Sequence, residues 1–149
     1  MKSTPIVAAF AGLISAVASA ETLRITISGL EAGKGNLRLA VFDESRADQW
    51  LLPDATYLYA LDLPAGAGEM TYAIAGVKPG KYAISAFQDA NQNQQLDRDA
   101  DNIPTESYGF STYTGNREST FEEALFDTEL TGYDVSIELR SADRSAPQE

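Results

Sequence analysis

Beyond residue 21 the chain alternates apolar and polar side chains with a period of two, repeatedly, between short turn sequences. No segment there keeps apolar residues at i, i+3, i+4 and i+7 through three helical turns. Alternation puts every second side chain on the same face of a strand, so that one face is buried while the other meets water. The pattern therefore predicts an all-β domain.

Seven alternating segments are expected to be strands: 22–28, 37–41, 57–63, 70–74, 82–87, 124–130 and 133–140. The first two are predicted to form a hairpin across Gly29 to Gly35, and the last two to pair across Thr131-Gly132. Seven strands are typical of a small two-sheet sandwich. We therefore expect a seven-stranded antiparallel Greek-key sandwich, with a short helical turn at Trp50 to Leu52 that covers core surface.

The first twenty residues have the features of a secretory signal peptide. Lys2 supplies a positive charge, an apolar run follows, and Ala18-Ser19-Ala20 has the small-x-small form that signal peptidase accepts. The apolar stretch is shorter than the ~20 residues that a membrane-spanning helix needs. We predict export to the periplasm or the medium, a β-sandwich over 21–140, a flexible tail over 141–149, and no transmembrane segment after processing.

The amino-acid composition excludes several classes of catalytic and metal site. The sequence has no Cys and no His, which excludes a thiolate zinc site and any Ser-His or Cys-His catalytic relay. Its 22 acidic and 11 basic residues give a formal net charge of -11. Nucleic acid and anionic membrane surfaces attract Lys and Arg, so the charge disfavours both as partners.

One short motif predicts a structural feature of the sandwich. Val77-Lys78-Pro79-Gly80-Lys81-Tyr82 matches the apolar-x-Pro-Gly-x-Tyr pattern of a tyrosine corner. Pro79 fixes φ and Gly80 relieves the turn, so that Tyr82 folds inward and its hydroxyl bonds to the backbone just upstream. We expect a structural role for Tyr82 rather than a catalytic one.

A long polar loop is predicted between the fifth and sixth strands. Residues Gln88 to Thr120 show no clear periodicity, and loops of that length are usually functional or disordered. From Gln88 to Asn102, 11 of 15 residues are Asp, Asn or Gln. Such a stretch cannot form a core, but it offers many oxygen ligands to a hard cation.

The spacing Asp89-x-Asn91-x-Asn93-x-Gln95-x-Asp97 follows the order of an EF-hand-type calcium loop. Side-chain oxygens occupy positions 1, 3, 5 and 9 of the loop, and the Gln95 main-chain carbonyl takes position 7. With Asp101 as a further carboxylate, the candidate calcium ligands are Asp89, Asn91, Asn93, Gln95, Asp97 and Asp101. Calcium is the cofactor that this pattern predicts.

Two positions depart from the calcium pattern. Gln94 stands where glycine permits the sharp turn, and Ala100 stands where a bidentate glutamate closes the site. The alternative is that the Asp and Asn side chains cap turns through bonds to their own backbone.

Downstream of the loop, an acidic residue and three aromatics are candidates for an aromatic lip that contacts a sugar or an apolar ligand: Glu106, Tyr108, Phe110 and Tyr113. The alternative is that the rings plug the open end of the sandwich. Carboxylates of the loop could also provide a glycosidase pair, whose separation the sequence does not show.

At several of these residues the sequence resembles domain-of-unknown-function family 2141, a set of small exported bacterial proteins. The resemblance lies in Pro79-Gly80-Lys81-Tyr82, Asp89-Ala90-Asn91-Gln92-Asn93, Leu96-Asp97 and Ile103-Pro104-x-Glu106-x-x-Gly109-Phe110-Ser111. It implies an immunoglobulin-like or transthyretin-like sandwich and brings no assigned activity. The family usually has Asn-Gly-Asn-Gly in the loop, so Gln92 and Gln94 are departures.

We therefore expect an exported, non-enzymatic β-sandwich that binds an uncharacterised ligand or an envelope protein through the end bearing the polar loop, with calcium at that loop. Two alternatives stay open. One is a carbohydrate-active hydrolase using the Asp-rich loop, and the other is a structural component of the cell envelope without a soluble ligand.

The signal-peptide prediction can be checked on the exported protein. Cleavage after Ala20 gives a mature chain that begins at Glu21. N-terminal sequencing of protein from the periplasm or medium should therefore read Glu-Thr-Leu-Arg. An exported form that begins at Met1 would contradict the prediction.

Overall fold

A computed structural model describes residues 21–142, so the predicted signal peptide and the tail beyond Ala142 lie outside the described residues. The strands are β1 (Glu21–Leu30), β2 (Asn36–Asp43), β3 (Tyr59–Pro64), β4 (Gly68–Val77), β5 (Lys81–Asp89), β6 (Tyr108–Phe110), β7 (Phe126–Asp127) and β8 (Asp134–Glu138). A 3₁₀ helix covers Glu44–Gln49, and two single-turn helices are α1 (Phe121–Ala124) and α2 (Thr128–Thr131). Within the described part, no helix has the length and apolarity to cross a membrane.

The strands form two sheets, which confirms the predicted all-β sandwich. One sheet has the order β4-β1-β8, and the other has the order β3-β2-β5-β6, with β7 paired to β5. Immunoglobulin constant domains place strands A, B, E and D together, whereas here the second strand lies opposite the first. The transthyretin-like alternative stays a prediction.

The predicted β1–β2 hairpin is wrong, because the two strands lie in different sheets. The connection between them carries the chain from one layer to the other, as does the connection from β3 to β4. A period of two looks the same whether successive strands pair within a sheet or face each other across a core. The sequence pattern therefore gave the strands without their partners.

The predicted C-terminal hairpin is also wrong. Segment 124–130 contains only the two-residue strand β7, since the Asp127 carboxylate accepts the Glu129 N–H at 2.9 Å and begins α2. β8 instead lies parallel to β1, with Ile27 opposite Ile137. The sandwich is therefore not wholly antiparallel.

The sandwich closes along one side through β6, a strand inside the predicted loop. Phe110 pairs with Ser85 of β5, and the Tyr108 N–H donates to the Arg140 carbonyl at 3.0 Å. Gly109 permits this approach, because a Cβ there would lie 2.5 Å from the Glu138 carbonyl oxygen. β6 therefore links the two sheets beside the polar loop.

The five-stranded sheet carries buried apolar residues on both faces. Its inner face contributes Leu37, Leu39, Val41, Tyr82, Ile84 and Ala86 to the core between the sheets. Its outer face carries a second cluster, Phe42, Ala83, Tyr108, Phe110, Phe121 and Ala124. This outer cluster positions the candidate site described below.

The Pro-Gly-x-Tyr motif has the geometry of a tyrosine corner. The buried Tyr82 side chain donates its hydroxyl hydrogen to the Lys78 carbonyl at 2.7 Å. Thr128 supports the same turn, since its hydroxyl accepts the Gly80 N–H at 2.9 Å and its own N–H donates to the Gly80 carbonyl at 3.0 Å. Pro79 and Gly80 thus lie in a turn that is fixed from two sides.

Replacing Tyr82 by Phe removes the hydroxyl donor and leaves the Lys78 carbonyl without this partner. We expect the free energy of unfolding to fall by about 1 kcal/mol. Urea denaturation of the processed chain measures the change. Tyr57→Phe is the control, because that ring is 48% exposed and its loss of a hydroxyl should not move the midpoint. Equal midpoints for the two variants would contradict a stabilising corner.

Candidate functional site

An open groove of about 380 Å³ crosses the outer face of the five-stranded sheet. Its floor is formed by Ala40, Phe42, Ser85, Phe87, Tyr108 and Phe110. Side chains of segment 51–57 form one wall, and Gln94, Gln95 and Leu96 of the polar loop form the other. Arg98 and Glu118 complete the lining. We call this feature the outer groove.

Trp50 anchors the first wall. Its indole lies 5.2 Å from the Phe42 ring and 5.7 Å from the Phe110 ring, and its Nε1 donates to the Ser119 carbonyl at 2.9 Å. The predicted turn at 50–52 therefore covers the outer cluster. Beyond the anchor the chain leaves the surface, with Leu51 at φ +58° and Leu52 51% exposed. Leucine disfavours that backbone region, so packing around Trp50 must hold it there.

The buried Asp89 side chain supports the second wall of the groove. Its carboxylate is 1% exposed and accepts the backbone N–H groups of Asn93 and Gln94 at 3.1 and 2.8 Å. The Arg38 guanidinium lies 3.8 Å from the same carboxylate. These contacts offset the free-energy cost of burying the Asp89 charge. They also fix the turn that carries Gln94 into the groove.

Gln92 and Gln94 occupy left-handed backbone positions, with φ of +60° and +70°. These are the two positions where the family pattern has glycine. A side chain in that region costs on the order of 1 kcal/mol. The turn therefore keeps its shape despite the departures, because hydrogen bonds to Asp89 hold it.

Glu106 closes the base of the polar loop. It is 8% exposed, and its two carboxylate oxygens accept the Ala90 N–H at 2.7 Å and the Asp97 N–H at 3.1 Å. It does not line the outer groove, although the sequence predicted a ligand contact. The Glu106 carboxylate therefore connects two distant parts of the loop through hydrogen bonds.

Two of the candidate calcium ligands, Asn91 and Asn93, contact a third, Asp97. The Asn91 and Asn93 amide groups donate to the two Asp97 oxygens at 2.6 and 2.8 Å. The Asn91 and Asn93 side-chain oxygens accept the N–H groups of Asn93 and Gln95 at 3.1 and 2.9 Å, as in Asx turns. Calcium binding by these residues stays a prediction.

Asp101 belongs to a neighbouring turn, in which the Asp99 carboxylate accepts the N–H groups of Asp101 and Ile103 at 3.0 Å each. The Gln95 side chain reaches the outer groove. Within residues 21–142, no group of three or more Asp and Glu side chains is arranged to hold a metal ion. Any ion at this loop would therefore depend on amide and main-chain oxygens beside the carboxylates.

Arg98 and Glu118 form a two-pronged ion pair at the groove. Arg98 Nη1 lies 2.9 Å from one Glu118 oxygen, and Nη2 bonds the other oxygen. Nη1 also donates to the Asn102 carbonyl at 3.1 Å. Hydrogen bonding to Glu118 raises the pKa of Arg98 above its ordinary value, so the guanidinium stays protonated. No local motif links these residues, and the sequence did not identify them.

Tyr108 and Phe110 line the outer groove as the predicted aromatic lip requires, whereas Tyr113 does not. The Tyr113 ring packs 6.2 Å from Phe110 and lies under the Arg117 guanidinium at 5.3 Å. It borders a smaller cavity of about 80 Å³ on the opposite side of β6. The aromatics therefore serve both to plug the outer cluster and to form the groove floor.

A sequence model of one bacterial family matches residues 25–136. Its description reads "Uncharacterized protein conserved in bacteria (DUF2141)". Comparison with curated proteins and with solved structures gave no match. The matched range covers most of β1, all of β2 to β7 and part of β8, together with the whole polar loop and the groove. The chain therefore belongs to the DUF2141 family.

Proposed function

We propose that the protein is an exported, non-enzymatic binding module that takes a small, largely apolar molecule in the outer groove. The observation that carries this proposal is the groove itself, about 380 Å³ in volume and floored by rings from three strands. Ligand pockets are typically ~300–1,000 Å³, mostly apolar, and formed before the ligand arrives. The predicted signal peptide supports a periplasmic or extracellular location.

The position of the floor favours a pre-formed site. Phe42, Tyr108 and Phe110 belong to the outer cluster, which packs against a sheet that is buried on its other face as well. Such side chains lose little further freedom when a ligand binds, so less of the binding free energy is spent on ordering them. A groove on a flexible loop would lack this advantage.

The mouth of the groove also favours binding. Leu52 and Tyr57 lie on one wall and are 51% and 48% exposed. Large apolar side chains gathered at a groove leave contact area that a ligand can cover. A purely structural envelope component has no need of this surface, and it stays an alternative that the binding test addresses.

The hydrolase alternative has weaker support. Asp89 and Glu106 are buried and already accept backbone hydrogen bonds that hold the loop together. The carboxylate that lines the outer groove is Glu118, and Arg98 engages both of its oxygens. A glycosidase needs two carboxyl groups that face the substrate.

Calcium at the polar loop is a second part of the proposal. Asn91, Asn93 and Asp97 are in mutual contact, so their side-chain oxygens lie in one small region of the loop. The same loop supplies Gln94 and Leu96 to the groove. An ion that orders the loop would therefore also shape the ligand site.

Filling the groove should weaken binding. Ala40→Leu extends a side chain from the floor, and we expect the affinity for the fluorescent probe N-phenyl-1-naphthylamine to fall at least about tenfold (~1.4 kcal/mol). Probe emission measures binding, and Trp50, the only tryptophan, provides a second signal because it contacts the floor. The control is Ala73→Leu, on the exposed face of β4.

Thermal melting of both variants establishes that each is folded. Failure of the wild-type protein to bind the probe contradicts a binding groove. Equal affinities for Ala40→Leu and Ala73→Leu place any binding elsewhere.

Calorimetric titration with calcium chloride tests the ion. We expect saturable heat from the wild-type chain and a loss of about tenfold or more in affinity in Asp97→Asn, which removes one candidate carboxylate. Asp134→Asn, at an exposed position of β8, is the matched control for the lost charge. Absence of heat from the wild type, or equal affinities for the two variants, contradicts calcium at the loop.

A further inference from the structure

We infer that the outer groove selects an uncharged ligand, and that the Arg98–Glu118 ion pair determines this selectivity. The inference rests on the proposed function, since it concerns the ligand of the same groove. It assigns a ligand class, an apolar molecule with a neutral polar group, and two specificity-determining residues.

The charges of the groove cancel one another. Among the described residues that line it, Arg98 and Glu118 are the ionised ones. Each carboxylate oxygen of Glu118 already accepts from one guanidinium nitrogen. The groove therefore presents no net charge that an ionic ligand could pair with.

An ionic ligand would have to break this pair. The side chains are 29% and 28% exposed, so water replaces a lost partner only in part. An anion that pairs with Arg98 displaces Glu118, and a cation that pairs with Glu118 displaces Arg98. Each exchange contributes little binding free energy, because one ion pair replaces another.

The surroundings also disfavour an anion. The whole chain has a formal net charge of -11, which repels anions as they approach. By contrast, the carboxamides of Gln94 and Gln95 line the groove and offer neutral donors and acceptors. A hydroxyl or carbonyl group on an apolar molecule suits these partners.

Glu118 determines the selectivity, because Arg98 has a second hydrogen-bond partner that keeps it at the groove. The Asn102 carbonyl accepts from Arg98 Nη1 at 3.1 Å, independently of Glu118. Removing the Glu118 charge should leave the guanidinium at the groove without its counter-ion. The groove would then attract anions.

Two probes that differ by one sulfonate test the inference. N-phenyl-1-naphthylamine is neutral, and 8-anilinonaphthalene-1-sulfonate carries the same ring system with a negative charge. We expect the wild-type chain to bind the neutral probe about tenfold more tightly than the sulfonate. In Glu118→Gln, sulfonate affinity should rise about fivefold or more, while neutral-probe affinity should change less than about twofold.

Glu122→Gln is the matched control, because Glu122 is an exposed residue of α1 outside the groove and the substitution changes the net charge equally. Arg98→Gln is the complementary variant, and it should weaken sulfonate binding further without affecting the neutral probe. Melting curves establish that each variant is folded, since the sulfonate also binds loosened cores.

The outcomes separate the two claims. If the wild type binds neither probe, the proposed function fails. If it binds the neutral probe in an Ala40-dependent way but binds the sulfonate equally well, the inference is overturned and the proposed function stands. An equal gain in sulfonate affinity for Glu118→Gln and Glu122→Gln also overturns the inference, because net charge alone would explain it.

Discussion

The structure depends on burying β5 and β2 on both faces. Most antiparallel sheets cover one face and leave the other to water, but here Val41 and Ile84 face the inner core while Phe42 and Ala83 face the outer cluster. Covering the outer face requires chain from outside the sandwich. The segment around Trp50 and the residues that follow β6 supply it, and the outer groove is the gap that they leave between them.

Buried carboxylates give the polar loop its shape. A stretch so rich in Asp, Asn and Gln has too few apolar side chains to form a core of its own. Asp89 and Glu106 replace a core by collecting backbone N–H groups from within the loop. Hydrogen bonds to charged acceptors are stronger than neutral ones, so two residues suffice to position a wall of the groove. The loop is thereby coupled to the sheet, because Asp89 is also the last residue of β5.

Aromatic packing links the outer cluster with the outer groove. Aromatic rings from β6 and from the Trp50 segment bury most of their surface against one another and leave one side open to the groove. An ion pair at the edge removes net charge from this apolar surface. The groove thus combines a rigid floor, a wall fixed by hydrogen bonds and a neutral lining, which together define the kind of molecule that fits.

The sequence by itself determined the β class, most of the strands, the tyrosine corner and the polar character of the loop, because alternation, Pro-Gly-x-Tyr and Asp/Asn spacing are local signals. It also singled out Tyr108 and Phe110, which line the outer groove. Only the tertiary structure decided which strands pair, since a period of two is the same within a sheet and across a core. It alone brought Arg98 to Glu118 and turned Glu106 inward, because those contacts join residues that no local pattern connects.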